Sequence, residues 1–363
     1  MLGRTSLFKY RPPVCSLPIR RLSNHPSGAV KTLKKPPNSI LFVKKRNDDV
    51  VASALRDVAA HVRETYPGVQ LFHEQDSNLP IGVEPWSSSD ARSRPIDLII
   101  TLGGDGTILH ASSLFKTGVV PPVLSFSMGT LGFLLPFNID TFPQALDEIF
   151  TGKSEILERM RIACTFHRQD GSEMGGSANT AWQVMNEVTL HRGRSPHLNI
   201  IDAYVDGQHL TEAVSDGLIL STPTGSTAYS LSCGGPIVHP SVHSLLLTPI
   251  CPRSLSFRSL VLPGSSRITL KINRGSRAPA EVSMDGQEAC ILQPGEFITV
   301  EASPHPVPCI KRSADLFTSR RDAEKERTIM GEKGGGDDWV RDINSLLQFN
   351  ATFKNKHLAT ERL

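Results

Sequence analysis

Several familiar signatures are missing from this chain. It has no C-x-x-C pair and no histidine cluster at zinc spacing. Its six cysteines (Cys15, Cys164, Cys233, Cys251, Cys290, Cys309) are scattered, which fits reduced thiols in an intracellular protein better than a disulfide framework or a metal knuckle. Neither G-x-G-x-x-G nor G-x-x-x-x-G-K-[ST] occurs, so the two commonest phosphate-binding fingerprints are excluded. No apolar run is long enough to span a bilayer. Acidic residues are absent from the first 47 positions, which hold eleven Lys or Arg; the first carboxylate is Asp48. Without that segment, 28 basic residues face 36 acidic ones. The overall charge of +3 is therefore no argument for nucleic-acid binding, and neither a nucleic-acid nor a membrane partner is expected.

The head, MLGRTSLFKYRPPVCSLPIRRLSNHP, is Arg- and Ser-rich and lacks a signal-peptide core. It reads as a mitochondrial transit peptide over 1–38, which places the protein in the matrix; a disordered cytoplasmic tail is the alternative. Next, Ile40–Val43 reads as a buried strand. Val50, Val51, Ala54, Leu55, Val58, Ala59 and Val62 form a helical stripe that Pro67-Gly68 stops. Strands follow at 69–72, 96–102 and 123–126, with a loop over 76–95 and a helix from Ile108 to Phe115. A further helix over Phe142–Phe150 would be capped by Asp140 and ended by Gly152. Strands alternating with helices predict a parallel sheet covered on both faces, over 39–152.

From 153 to 311 apolar alternation replaces that pattern: 162–166, 182–190, 198–205, 218–221, 268–272, 281–284 and 297–300. Asp206-Gly207 and Asp285-Gly286 stand where hairpins would turn, so this region is read as mostly antiparallel β. Residues 312–338 look like a flexible polar insertion. Trp339, Val340, Ile343, Leu346, Leu347 and Phe349 resume helical spacing, which predicts a tail helix within 339–363 that packs back on the body.

Three stretches carry chemistry. Gly103-Gly104-Asp105-Gly106-Thr107 lies at the carboxyl end of a strand, where open α/β sheets bind ligands. Its glycines and the following helix N-terminus suit a phosphate. A carboxylate there would repel phosphate unless it has other work, such as accepting a proton from an attacking hydroxyl. Asn186-Glu187 interrupts an apolar strand with donors and acceptors that complement a ribose diol. The run Asp216–Pro236 enters a hydroxyl-rich turn and a short helix near Ser226, with Tyr229 offering a flat face to a base. Too few carboxylates converge elsewhere for a protein-only metal cage.

Together with Gly129-Thr130-Leu131-Gly132-Phe133-Leu134, these stretches resemble the NAD kinase family in order and spacing. The resemblance covers roughly residues 39–310 and is nearest to the fungal mitochondrial NADH kinase type. It implies an N-terminal Rossmann-like α/β domain and a C-terminal all-β sandwich domain, with the active site in the cleft between them. It also implies ATP as phosphoryl donor with Mg2+, NAD or NADH as acceptor, and a homo-oligomer, dimer or tetramer. By position, Asp105 would take the proton of the 2′-hydroxyl, with Gly104, Gly106 and Thr107 at the phosphates. Asn186 and Glu187 would hold ribose and base, and Phe133 would line the adenine pocket. Asp216 would bind the dinucleotide with Thr227, Ala228, Tyr229, Ser230, Leu231 and Ser232. His197 and Gln287 are weaker carry-overs, and Cys233 departs from the Ala of many members. A lipid or sugar kinase sharing the glycine–aspartate turn, or a non-catalytic dinucleotide-binding protein, would account for less of the pattern.

Overall fold

Strand order in the first sheet reverses beside its central strand, and that reversal fixes where a ligand can sit. In the computed structural model, residues 31–33, 35–74, 82–116, 118–129, 132–174, 182–312 and 338–347 are described. Ser39–Lys44 is followed by parallel neighbours Gln70–Glu74 and Glu84–Trp86 on one side. Leu98–Gly103, Val123–Ser127 and Val307–Ile310 continue the sheet on the other. The switch point falls between Ser39–Lys44 and Leu98–Gly103. Open α/β sheets bind ligands at such a point, beyond the carboxyl ends of the strands. Here those ends run into Lys44-Lys45-Arg46 and Gly103–Thr107.

The strands are apolar on both faces because both faces are covered. Helix α1 (Asp49–Thr65) starts where the Asp48 side chain accepts the Val51 N–H at 3.3 Å. It buries Val51, Leu55, Val58, Ala59 and Val62, each aliphatic side chain contributing roughly 1.5–3 kcal/mol, and leaves Val50 exposed. Alternate strand residues Ile40, Phe42, Leu98, Ile100 and Phe126 form that core. Leu41, Val43, Ile99 and Val123 point the other way, onto Ile108, Ala111 and Phe115. Helix α2 runs from Asp105 to Ser113, three residues earlier than the apolar pattern indicated, so Asp105 is itself its first residue. Helix α3 (Phe142–Phe150) is preceded by Thr141, not capped by Asp140; Asp140 lies in a short turn over Ile139–Thr141. The supposed loop over 76–95 contains a strand, Glu84–Trp86, whose Trp86 is buried.

Most of the remaining described chain forms two six-stranded antiparallel sheets. Inward-facing Ile162, Cys164, Ile201, Ile298 and Val300 of one meet Val188, Leu190, Leu218, Leu220 and Val282 of the other in a single core, as in a sandwich. The fold is thus an N-terminal α/β sheet followed by an antiparallel sandwich, as expected. Both Asp-Gly pairs turn their hairpins with positive φ at each residue (Asp206 51°, Gly207 80°; Asp285 48°, Gly286 76°). Two strands cross over the sequence grouping. Glu155–Arg159 and Val307–Ile310, read with the second part, pair in the first sheet. Lys31–Thr32 pairs with Ile156 and Glu155, so this part of the basic head belongs to the fold. Residues 1–30, 313–337 and Phe349 lie outside the described residues. The tail helix, α4 (Tyr229–Ser232) being the last before it, is α5 (Asp338–Leu346), with Ile343 buried.

Candidate active site

Asp105 owes its setting to glycines on both sides. A Cβ on Gly103 would stand 2.4 Å from Thr107 Oγ1 and 3.0 Å from the Lys45 Cβ, so only glycine lets the strand turn this tightly. Gly104 precedes the helix in extended geometry, and Asp105 occupies the first turn, where the helix dipole favours negative charge. A Cβ on Gly132 would lie 2.2 Å from Asp105 Oδ1, so this glycine lets the loop close over the carboxylate. Leu134 N–H donates to the same oxygen at 3.2 Å. Burial raises the carboxyl above its ordinary pKa, against the Leu134 and Phe133 amides and the Arg159 charge. Arg159 donates to Phe133 C=O at 3.2 Å and Thr224 Oγ1 at 3.4 Å, joining the loop beside Asp105 to the hydroxyl-rich turn.

The apolar run 182–190 is not one strand. Trp182–Val184 pairs in one sheet of the sandwich and Glu187–His191 in the other, so the chain changes sheets at Met185-Asn186. Amides at such a break lack ladder partners, and Asp285 supplies them. Its Oδ2 accepts Met185 N–H at 2.9 Å; its Oδ1 accepts Asn186 N–H at 2.7 Å and Glu187 N–H at 3.3 Å. On the carbonyl side, Thr222 Oγ1 donates to Met185 C=O at 2.6 Å and Thr222 N–H to Asn186 C=O at 2.9 Å. Gly225 lies so close that a Cβ would be 2.2 Å from Asn186 O. Asn186 and Glu187 are thereby fixed and about nine-tenths buried. Burial, reinforced by the Asp285 charge and opposed by the Tyr229 amide, pushes Glu187 up to about 8. At neutral pH its carboxyl is protonated, able to donate as well as accept. Glu187 Oε2 is buried without a protein partner, the kind of orphan a polar ligand atom satisfies.

Arg161 joins the two halves from behind. It is fully buried; Nη1 donates to Ser112 C=O at 3.2 Å and Phe115 C=O at 3.0 Å, and Nε to His305 C=O at 2.6 Å. Burial lowers it to about 10, with the Asp285 charge acting the other way, so it stays a cation at neutral pH. A buried cation thus meets the carbonyl end of α2 while α2 carries Asp105 at its other end, and the same cation faces the carboxylate that fixes Asn186 and Glu187.

A cavity of about 530 Å³ opens at the switch point, lined by Lys44, Lys45, Arg46, Gly104, Gly106, Thr107, His110 and Gln287. It gathers four of the expected residues and four that the sequence reading did not single out. Phe133 lies instead on a smaller cavity of about 250 Å³ that Arg159 and Trp339 also line. Tyr229 is exposed, while Ser230 is buried and bonded to Thr248 Oγ1 at 2.8 Å. Asp216 takes Arg192 Nε at 2.5 Å, and Arg192 also donates to Ser195 C=O. His197, exposed on that turn, donates its N–H to Ser195 Oγ at 3.2 Å. Among the described residues no hydrogen bond ties His197 to Asp105 or to the Asn186–Glu187 pair. Asp285 was legible only as a hairpin turn, and Arg161 carried no signal. The Lys44-Lys45-Arg46 triplet was visible, but was counted with the basic head.

A buried, glycine-framed carboxylate at a helix N-terminus, a basic cavity on one side of it and a fixed polar pair in an adjoining sandwich define a nucleotide-using phosphotransferase. Among the described residues no group of three His, Cys, Asp or Glu could hold a metal ion.

Residues 84–154 match the ATP-NAD kinase N-terminal domain and residues 185–312 the ATP-NAD kinase C-terminal domain. A mitochondrial NADH kinase of Schizosaccharomyces pombe is 42% identical over 326 residues, 89% of this chain and 78% of that protein. One of Saccharomyces cerevisiae is 35% identical, over 91% of this chain and 85% of its own length. The crystal structure of yeast NADH kinase complexed with NADH superposes with a TM-score of 0.74 at 36% identity, covering 89% of this chain and 91% of that one. An NAD kinase from Archaeoglobus fulgidus, solved in complex with ATP, shares the fold (TM-score 0.58, 21% identity) over 81% of this chain and all of its own. The chain belongs to the NAD kinase family.

Proposed function

We infer that this NAD kinase phosphorylates the 2′-hydroxyl of the adenosine ribose of NAD or NADH with ATP, giving NADP or NADPH and ADP, and that Asp105 is its base. The observation that carries this reading is a buried carboxylate in a glycine turn, whose covering loop Arg159 joins to the hydroxyl-rich turn that also holds Asn186. As the 2′-oxygen bonds to the terminal phosphorus, the bond from that phosphorus to the bridging oxygen of ADP breaks and the hydroxyl proton passes to Asp105. A carboxyl raised by burial is a better proton acceptor than an exposed aspartate, and such a base contributes on the order of 10²–10⁴ in rate. Neutral Glu187 and Asn186 hold the ribose and base, with residues 227–232 and Asp216 on the dinucleotide. A magnesium ion arriving with ATP would neutralise phosphate charge.

The basic head and the mitochondrial relatives support a mitochondrial enzyme, with the matrix as its compartment; a fluorescent fusion to residues 1–38 reads this directly. Membership of the family supports a homo-oligomer of dimeric or tetrameric size, which light scattering measures. No described helix is long and apolar enough to cross a membrane. To test the activity, purified chain is given ATP, magnesium and either redox form of the coenzyme, and the product is read by phosphorus NMR. A 2′-phosphate is expected, and its absence with both coenzymes overturns the reading. Initial rates with NAD and NADH then rank the acceptors.

A further inference from the structure

We propose that the cavity of about 250 Å³ behind the Asp105 loop binds a small carboxylate with an apolar body, and that its occupancy lowers turnover through Arg159. The effector role rests on the reading of Asp105 given above; the binding site does not. Asp105, Asn186, Glu187 and residues 227–232 take no part in its walls. Its volume equals roughly eight water molecules at liquid density, below that of drug-sized pockets, so its ligand is small. Val123, Leu134, Pro136, Leu157 and Trp339 give it apolar walls. Helix α5 brings Trp339 there, edge-on to His239 with ring centroids 4.8 Å apart.

Among the described residues, two polar atoms of this lining lack a hydrogen-bond partner: Ser125 Oγ, in a residue 2% exposed, and Arg159 Nε, also buried. Such atoms cost stability until something satisfies them. Ser125 alternates with Leu124 and Phe126, which enter the core beneath α1, so it points with Val123 to the other face. Thr101, its register partner on the next strand, is buried and unpartnered too, so this face turns polar here. A guanidinium has only donors, so its complement must accept, and an anion accepts best. Lys311 and Asp342, the other full charges of the lining, are opposite in sign, so Arg159 decides. Arg159 is also the route to the reaction centre. Its Nη2 donates to Phe133 C=O at 3.2 Å and its Nη1 to Thr224 Oγ1 at 3.4 Å, long bonds for their type. The neighbouring Leu134 N–H donates to Asp105. A carboxylate gripping Nε and one Nη together competes with those bonds and loosens the loop that seats Asp105.

The test titrates the full chain calorimetrically with sodium hexanoate, which should bind saturably. Hexylammonium, with the same body and the opposite charge, should not bind, and acetate should bind at least about tenfold more weakly. Trp339→Ala should weaken hexanoate about tenfold. Ser125→Ala, which removes a hydroxyl without a protein partner, should weaken it about fivefold and leave the uninhibited kcat as it was. In initial rates hexanoate should lower kcat while the KM for ATP and for NADH each stay within about twofold. No hexanoate binding, equal binding of hexylammonium, or equal hexanoate affinity in both variants would overturn the site. Competition with ATP or with NADH would overturn it too, giving the anion to a substrate site. Binding with kcat unchanged would overturn the effector role. The calorimetric result stands even should the wild type form no product.

Discussion

The two halves of this molecule hold their functional groups by opposite means. In the α/β half, backbone geometry does the work: glycines at 103 and 132 let a strand, a helix and a loop converge on Asp105. In the sandwich, side chains substitute for missing ladder bonds: Asp285 and Thr222 catch the backbone at 185–187 where it changes sheets. The first arrangement leaves a carboxyl that burial raises above its ordinary pKa. The second buries a carboxyl deeply enough to keep Glu187 neutral at neutral pH. Both carboxyls are raised by burial, Asp105 beside a basic cavity and Glu187 inside the sandwich.

The largest effect should come from breaking the first arrangement at its centre. Asp105→Asn is expected to lower kcat by about 10²–10⁴, while calorimetry finds dinucleotide affinity nearly unchanged; equal losses in both would make Asp105 a binding group. Next comes the residue common to both halves. Arg161→Met leaves Asp285 facing no buried cation and frees the carbonyls at the end of α2, so the unfolding free energy should fall by about 3–5 kcal/mol. Arg161→Lys should recover part of it in the same denaturant titration, and a neutral Arg161→Met would show the halves to be independent.

A smaller effect sharpens the second arrangement. Because Glu187 holds its proton more tightly in the folded chain than in the unfolded one, its stabilising contribution is full below the unfolded value. It is lost as pH rises through about 8. Glu187→Gln, neutral throughout, should therefore gain Tm over the wild type between pH 6 and pH 9, by a few degrees on the scale of about 1 kcal/mol. A constant difference across that range would mean that the carboxyl is not buried as described.

The sequence pattern displayed the first half more fully than the second, and the contrast explains why. Periodicity and glycine spacing are local, so the strand before Gly103, α1 and the Asp-Gly hairpins could be read directly. Asp105 as a helical residue was obscured because Gly104 and Gly106 weaken the apolar signal in the first turn. The sheet change at Met185-Asn186 left no local trace: Val184, Met185 and Val188 are all buried, and alternation looks continuous through the break. Asp285 lies a hundred positions from the amides it holds, and Arg161 reaches carbonyls of another element. Partners supplied by tertiary contact are invisible to residue spacing.

The central claim, that Asp105 takes the proton from the acceptor hydroxyl, is tested most directly by the pH dependence of kcat for NADH. An acid limb should appear with an apparent pKa above that of an exposed aspartate, the direction in which burial moves this group, and the residual activity of Asp105→Asn should lack it. A limb that persists unchanged in the variant would contradict the account.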